Sequence, residues 1–205
     1  MHVLLLNGSP NAEGCTFTAL SEIAATLKTE NITSEIFQLG KKPVRGCIAC
    51  GACRERGACA FQDDALPALV EAAKRADGIV IGSPVYYAGP NGALCALLDR
   101  FFFSSGNLLK FKPGAAVVSC RRGGASASFD RLNKYFTINQ MPVASSQYWN
   151  SVHGFTPDDV RKDAEGLQTM RTLAHNLARM LRMEAVTPQR TDEEEHLWTS
   201  FHDGK

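Results

Sequence analysis

The sequence predicts an α/β fold: a doubly wound, five-stranded parallel sheet of order 2-1-3-4-5 with helices on both faces. Three observations lead there. Apolar runs of strand length alternate along the chain with amphipathic segments of helix length. The first of these runs opens at once into a Gly/Ser/Asn turn and then a helix, the join expected within a parallel crossover unit. At 205 residues, 44% of them apolar, the chain supports one well-buried core more readily than two.

The elements follow in order. Residues 2–6 read as strand one, and 16–29 as a helix with Leu20, Ile23, Ala24 and Leu27 on one face. Residues 33–39 are strand two, and 40–62 a long polar loop. Asp63 or Asp64 caps a helix that runs to residue 74, and 78–82 is strand three. Residues 90–102 form a third helix with Pro90 in its first turn, where a missing N–H costs little. Residues 115–119 are strand four, 127–136 a fourth helix, 142–145 a short strand five and 163–182 a long last helix. One domain is expected over 1–187, carrying a cysteine-rich loop at 46–60, with a polar tail at 188–205. Ligands of such sheets sit outside the carboxyl ends of the strands where strand order reverses, here the exits of strands one and three.

A formal net charge of +1 gives no footing for a nucleic-acid partner or an anionic membrane surface. No apolar run is long enough to cross a bilayer. The chain enters strand one without a basic segment or a cleavage signal, so a cytoplasmic protein is expected. Its seven cysteines then read as thiols or metal ligands before disulfides.

Strand one runs into Asn7-Gly8-Ser9-Pro10-Asn11-Ala12-Glu13-Gly14-Cys15-Thr16. Glycines allow a tight turn, hydroxyls supply donors, and the helix N-terminus adds unpaired N–H groups and partial positive charge. Together these make a phosphate cradle. With no Lys or Arg in the loop, it suits a phosphate monoester better than a triphosphate with its metal, and it lacks the Walker ending. The plainer reading is a polar turn with Thr16 as N-cap. A phosphoacceptor domain of the same topology needs acids near the end of strand one, where Asn7 and Ser9 stand instead.

Strand three exits into Gly82-Ser83-Pro84-Val85-Tyr86-Tyr87-Ala88-Gly89-Pro90, whose backbone and aromatics can line a planar ring beside the phosphate loop. Strand four exits into Ser119-Cys120-Arg121-Arg122-Gly123-Gly124, where backbone donors or a guanidinium can meet negative charge on the ring or the phosphate of a nicotinamide. The segment 146–154 is aromatic-rich and can close over the site or meet another subunit. No acid in the sequence is assignable to His153, and Asp99-Arg100 reads as a structural ion pair.

Four cysteines are clustered as Cys47-x2-Cys50-x2-Cys53-x5-Cys59. Such compact four-thiol spacing is what a [4Fe–4S] cluster requires, whereas structural zinc usually draws its thiolates from two separated pairs. A loop that keeps only thiols is the standing alternative.

The segments Gly8-Ser9-Pro10, Gly14-Cys15-Thr16, Gly82-Ser83-Pro84-Val85-Tyr86-Tyr87 and Leu98-Asp99-Arg100 resemble those of the NAD(P)H-dependent FMN reductases of the flavodoxin-like superfamily. The cysteine segment narrows the likeness toward the iron–sulfur flavoproteins. The resemblance implies FMN, with Ser9, Asn11, Cys15 and Thr16 at its phosphate. It also places Pro84, Val85, Tyr86, Tyr87, Ala88 and Gly89 along the isoalloxazine, and assigns Arg121 and Gly123 to the same site. Cys15 departs from the hydroxyl expected at its position. The implied activity moves electrons from NAD(P)H through the flavin to a quinone, a flavin or another small acceptor, with no catalytic acid or base of the protein's own. An electron carrier between redox proteins, using the cluster, is the alternative. A homodimer or homotetramer sharing the site is expected.

Overall fold

In the computed structural model of the chain, residues 1–187 are described, together with 194, 195, 197 and 199. Apart from those four, the expected tail 188–205 lies outside the described residues. In chain order the elements begin β1 (His2–Asn7), α1 (Cys15–Thr29), β2 (Thr33–Gln38), α2 (Ala52–Arg56), α3 (Leu66–Arg75) and β3 (Gly78–Tyr86). They continue β4 (Gly89–Pro90), α4 (Gly92–Ser105), a 3-10 turn (Gly106–Leu109), β5 (Gly114–Cys120), α5 (Ala125–Ile138), β6 (Ser151–His153), α6 (Pro157–Lys162) and α7 (Ala164–Val186). The sheet runs β2-β1-β3-β5-β6, all parallel, with β4 folded back antiparallel on β3. This is the expected doubly wound order with one short extra strand.

Alternation along the strands divides the core into two layers. Val3, Leu5, Val80, Val117 and Val152 face one side, against Leu20, Ile23 and Leu27 of α1 and Leu173, Leu177 and Leu181 of α7. Leu4, Leu6, Ile79, Ile81 and Val118 face the other, against α3, α4 and α5. Burial on both faces explains why these strands are continuously apolar. Each fully buried Leu or Ile stabilises the fold by about 1.5–3 kcal/mol.

Three expectations fail for local reasons. Residues 142–145 make only a single bridge, Val143 to Gly114, and the fifth parallel strand is β6. Buried Asn150 accounts for this: its carbonyl accepts from Val118 N at 2.9 Å and its Nδ2 donates to the Ala116 carbonyl at 3.0 Å. That draws the chain back to the sheet edge beyond the apolar run. Pro90 lies in β4, not in a helix turn, and Asn91 caps α4 by accepting from Ala93 N. Neither Asp63 nor Asp64 is the α3 cap residue; Ala65 holds that position, while Asp64 Oδ1 accepts from Leu66 N at 3.1 Å. The last helix extends to Val186, with Asp163 capping it.

Candidate functional site

Three strand exits are joined at the carboxyl edge of the sheet. Gly8 N donates to the Gly82 carbonyl at 2.8 Å, and Asn91 Nδ2 donates to the Gly8 carbonyl at 2.7 Å. A Cβ at Gly8 would lie 2.4 Å from Leu94 Cδ2 and 2.8 Å from the Gly82 carbonyl oxygen, so the close approach of these backbones needs glycine. Thr16 and Ser119 share a hydroxyl–hydroxyl bond of 2.8 Å between the exits of β1 and β5. Gly124 has φ +89°, and a Cβ there would meet Ala88 Cα at 2.6 Å, which closes the loop after β5 against the loop after β3.

The first loop keeps donors in reserve. Gly14 is the N-cap of α1, without a side-chain cap bond, and no acid occupies the first turn. The first-turn N–H groups thus carry partial positive charge with no internal side-chain acceptor. Buried Ser9 stiffens the turn: its Oγ accepts from Asn11 N at 3.1 Å, its N–H donates to Asn7 Oδ1, and its carbonyl accepts from Gln38 Nε2 at 2.6 Å. Asn11 is exposed. Thr16 is not the N-cap; it lies inside α1, 1% exposed, with its hydroxyl engaged by Ser119. Cys15 Sγ donates to the Gly154 carbonyl at 3.7 Å. Burial pushes the Cys15 thiol up, partly countered by its own N–H and reinforced by Asp159. The thiol therefore stays neutral and adds no negative charge to an anion cradle.

A cavity of about 490 Å³ beside this loop is lined by Asn11, Gly14, Gln38 and Lys41 among others. Lys41 escaped the sequence reading because the loop after β2 supplies it, far from the glycines in sequence. Proximity of strand exits, visible only once β1 and β2 are paired, is the signal that finds it.

Residues Tyr87 and Ala88, with φ 49° and 60°, turn the β3–β4 hairpin between the pairs Tyr86–Gly89 and Val85–Pro90. Two left-handed residues suit such a two-residue turn, but neither is glycine, and each costs on the order of 1–3 kcal/mol. Tyr87 is fully exposed and Tyr86 half-exposed. Pro84 continues β3 beside Ser119 of β5. Arg121 and Gly123 are exposed on the next loop, and among the described residues neither Arg121 nor Arg122 is in an ion pair.

Two pairings differ from expectation. His153 does meet an acid: its Nδ1 lies 3.7 Å from Asp163 Oδ2. Asp99 and Arg100 do not pair with each other, because adjacent helical residues face apart. Asp99 accepts from Tyr135 and Arg131, whereas buried Arg100 pairs with Asp64. Burial together with the Asp99 bond pushes the Tyr135 hydroxyl far above its ordinary range.

Cys47, Cys50, Cys53 and Cys59 all line one cavity of about 500 Å³, with Phe61, Arg100 and Phe103. Cys47 and Cys50 are exposed, Cys53 and Cys59 half-buried. Left-handed Ala49, Gly51 and Gly57 bend the loop around α2. Among the described residues no three His, Cys, Asp or Glu side chains come close enough to hold one metal ion. Four thiols around one cavity are the donor set an iron–sulfur cluster uses, with no three of them meeting at one point.

The family model described as NADPH-dependent FMN reductase matches residues 1–156. The chain belongs to that family. Membership places it among flavin-dependent oxidoreductases. An iron–sulfur flavoprotein of Methanocaldococcus jannaschii is 32% identical over 191 residues, covering 89% of this chain and 98% of that one. In fold, RosB, solved with a bound 8-demethyl-8-formylriboflavin-5'-phosphate intermediate, superposes with a TM-score of 0.69 at 15% identity, covering 92% of this chain and 82% of RosB. A flavodoxin from the domain Archaea superposes with a TM-score of 0.58 at 14% identity, covering 89% and 99% of the two chains. The fold is flavodoxin-like. No helix among the described residues is long and apolar enough to cross a membrane.

Proposed function

We propose that this family member is an FMN oxidoreductase that takes electrons from NAD(P)H and delivers them to a quinone, flavin or other small acceptor. Residues 1–187 form its flavin domain, and loop 46–60 holds a [4Fe–4S] cluster on Cys47, Cys50, Cys53 and Cys59. The observation that carries the reading is the joining of three strand exits around an uncapped helix N-terminus. FMN, when bound, supplies the redox chemistry: hydride uptake from a nicotinamide and release of electrons to an acceptor.

The chain's own residues bind and orient. Backbone N–H groups at Cys15 and Thr16, the exposed Asn11 side chain and the Ser9 turn receive the phosphate, and Lys41 adds charge from the rim. The span Pro84 to Gly89 lies along the ring and presents N–H and carbonyl groups to its polar edge. Arg121 and the Gly123 backbone meet negative charge on the far side. The exposed aromatics Tyr86, Tyr87, Tyr148 and Trp149 support a homodimer or homotetramer that covers the site. All seven cysteines are unbridged, which fits a cytoplasmic protein.

Anaerobic purification tests the reading. FMN by mass, iron with acid-labile sulfide, and fast bleaching of the flavin band on mixing with NADPH are expected; FAD, or no flavin, overturns it. The exposure of Cys47 and Cys50 beside exposed Ile48 and Phe103 favours a second reading, a carrier between redox proteins. Bleaching only through a reduced protein donor would select that one.

A further inference from the structure

Arg100 is 1% exposed, and every hydrogen bond of its guanidinium goes to Cys59 or to residues that flank the cysteine loop, Arg45, Phe61 and Asp64. Both terminal nitrogens engage the Asp64 carboxylate; Nη2 also donates to the Phe61 carbonyl at 2.8 Å and Nη1 to the Arg45 carbonyl at 3.3 Å. That leaves Nε, which donates to Cys59 Sγ at 3.4 Å. The planar fork fixes where Nε points once the terminal nitrogens are committed, and a lysine ammonium lacks this second direction. Asp64 neutralises the guanidinium, so what reaches the sulfur is chiefly a directed N–H dipole.

The helix that carries Arg100 is fastened at its other end to the flavin loops. Asn91, the cap of α4, bonds Gly8 and Ser83. Nine residues on, roughly 14 Å along the axis by helical rise, comes Arg100. One rigid element therefore holds the phosphate loop and the fourth cysteine in register.

We propose that Arg100 is a positioning residue for Cys59: it fixes that thiolate as the fourth cluster ligand and, through the Nε–H···S bond, raises the reduction potential of the cluster. The proposal rests on the cluster reading above. Its physical basis is that a donor aimed at a ligand sulfur stabilises the more negative, reduced state.

The test uses anaerobically reconstituted wild type, Arg100→Lys and Asp64→Asn. Iron, sulfide and FMN content are measured, with the cluster potential from a redox titration followed by electron paramagnetic resonance. Arg100→Lys should keep FMN and either hold its cluster at a lower potential or lose iron selectively. Asp64→Asn keeps the N–H donor but removes the compensating negative charge, so its potential should rise. A merely structural role moves the melting temperature but gives no opposed pair of potential shifts. Full iron at the wild-type potential in Arg100→Lys overturns the proposal. If that variant does not fold, an unshifted or lowered potential in Asp64→Asn overturns it instead. Wild type that takes up FMN but no iron overturns the cluster reading, and this proposal with it, an outcome read from the iron assay alone.

Discussion

The loops after β1, β3 and β5 and the cysteine loop are built in opposite ways. The former are extensions of buried parallel strands, tied backbone to backbone at Gly8–Gly82 and by buried hydroxyls at Thr16–Ser119. The latter spans 40–65, buries few apolar side chains, and is anchored chiefly by one guanidinium. A site formed from strand ends is shaped by the same burial that makes the sheet, before any ligand arrives. The cluster proposed for the other loop would add order to it, as metal does in metal-coupled segments. The difference teaches that one chain can carry loops shaped by its sheet beside a loop that rests on a single buried anchor, with one helix registering both.

The largest expected effect breaks the anchor. Asp64→Ala leaves Arg100 buried without its carboxylate, and one-sided removal of a buried pair costs about 3–5 kcal/mol. The urea midpoint should fall sharply while the protein that remains folded still binds FMN; an unchanged midpoint would mean that the loop has another anchor. Gly8→Ala attacks the other region. Its Cβ meets a backbone oxygen that cannot yield, so about 1–3 kcal/mol of overpacking and loss of bound FMN are expected. Retention of flavin at wild-type stoichiometry would show that the loops can separate without harm.

A pH experiment sharpens the contrast. Burial alone would push the Asp64 carboxyl up, but Arg100 and the Leu66 N–H more than offset this and hold it below the usual range. With the folded value depressed, its contribution to stability is complete above the ordinary aspartate pKa of about 3.9 and is lost as pH falls through the folded value. Between pH 6 and pH 2, values of roughly that order about the aspartate range, the difference in melting temperature between wild type and Asp64→Asn should shrink on acidification. A constant difference would detach Asp64 titration from stability.

The smallest effect falls on Thr16. Its hydroxyl is committed to Ser119, so Thr16→Ala should cost about 0.5–1.5 kcal/mol of stability. FMN dissociation should change less than in Gly8→Ala. A larger loss of affinity would return the hydroxyl to the phosphate.

Hydrophobic period and turn chemistry were enough to read the parallel sheet, its order and both helical layers, because each buried strand writes its own apolar run. The clustering of four cysteines was legible for the same local reason. Strand β6 was not: Ser151-Val152-His153 carries little apolar signal, and Asn150 decides its place through partners more than thirty residues away. The same limit hid Lys41 beside the loop after β1 and misassigned the partner of Arg100. A charged side chain chooses its partner by proximity in three dimensions, and neighbours in sequence on a helix point apart. The sequence by itself determined four of the five parallel strands, where the glycine turns open and how many thiols the loop presents. Only the tertiary structure decided that the loop hangs on Arg100, because a buried charge must find its counter-charge wherever packing brings one within reach.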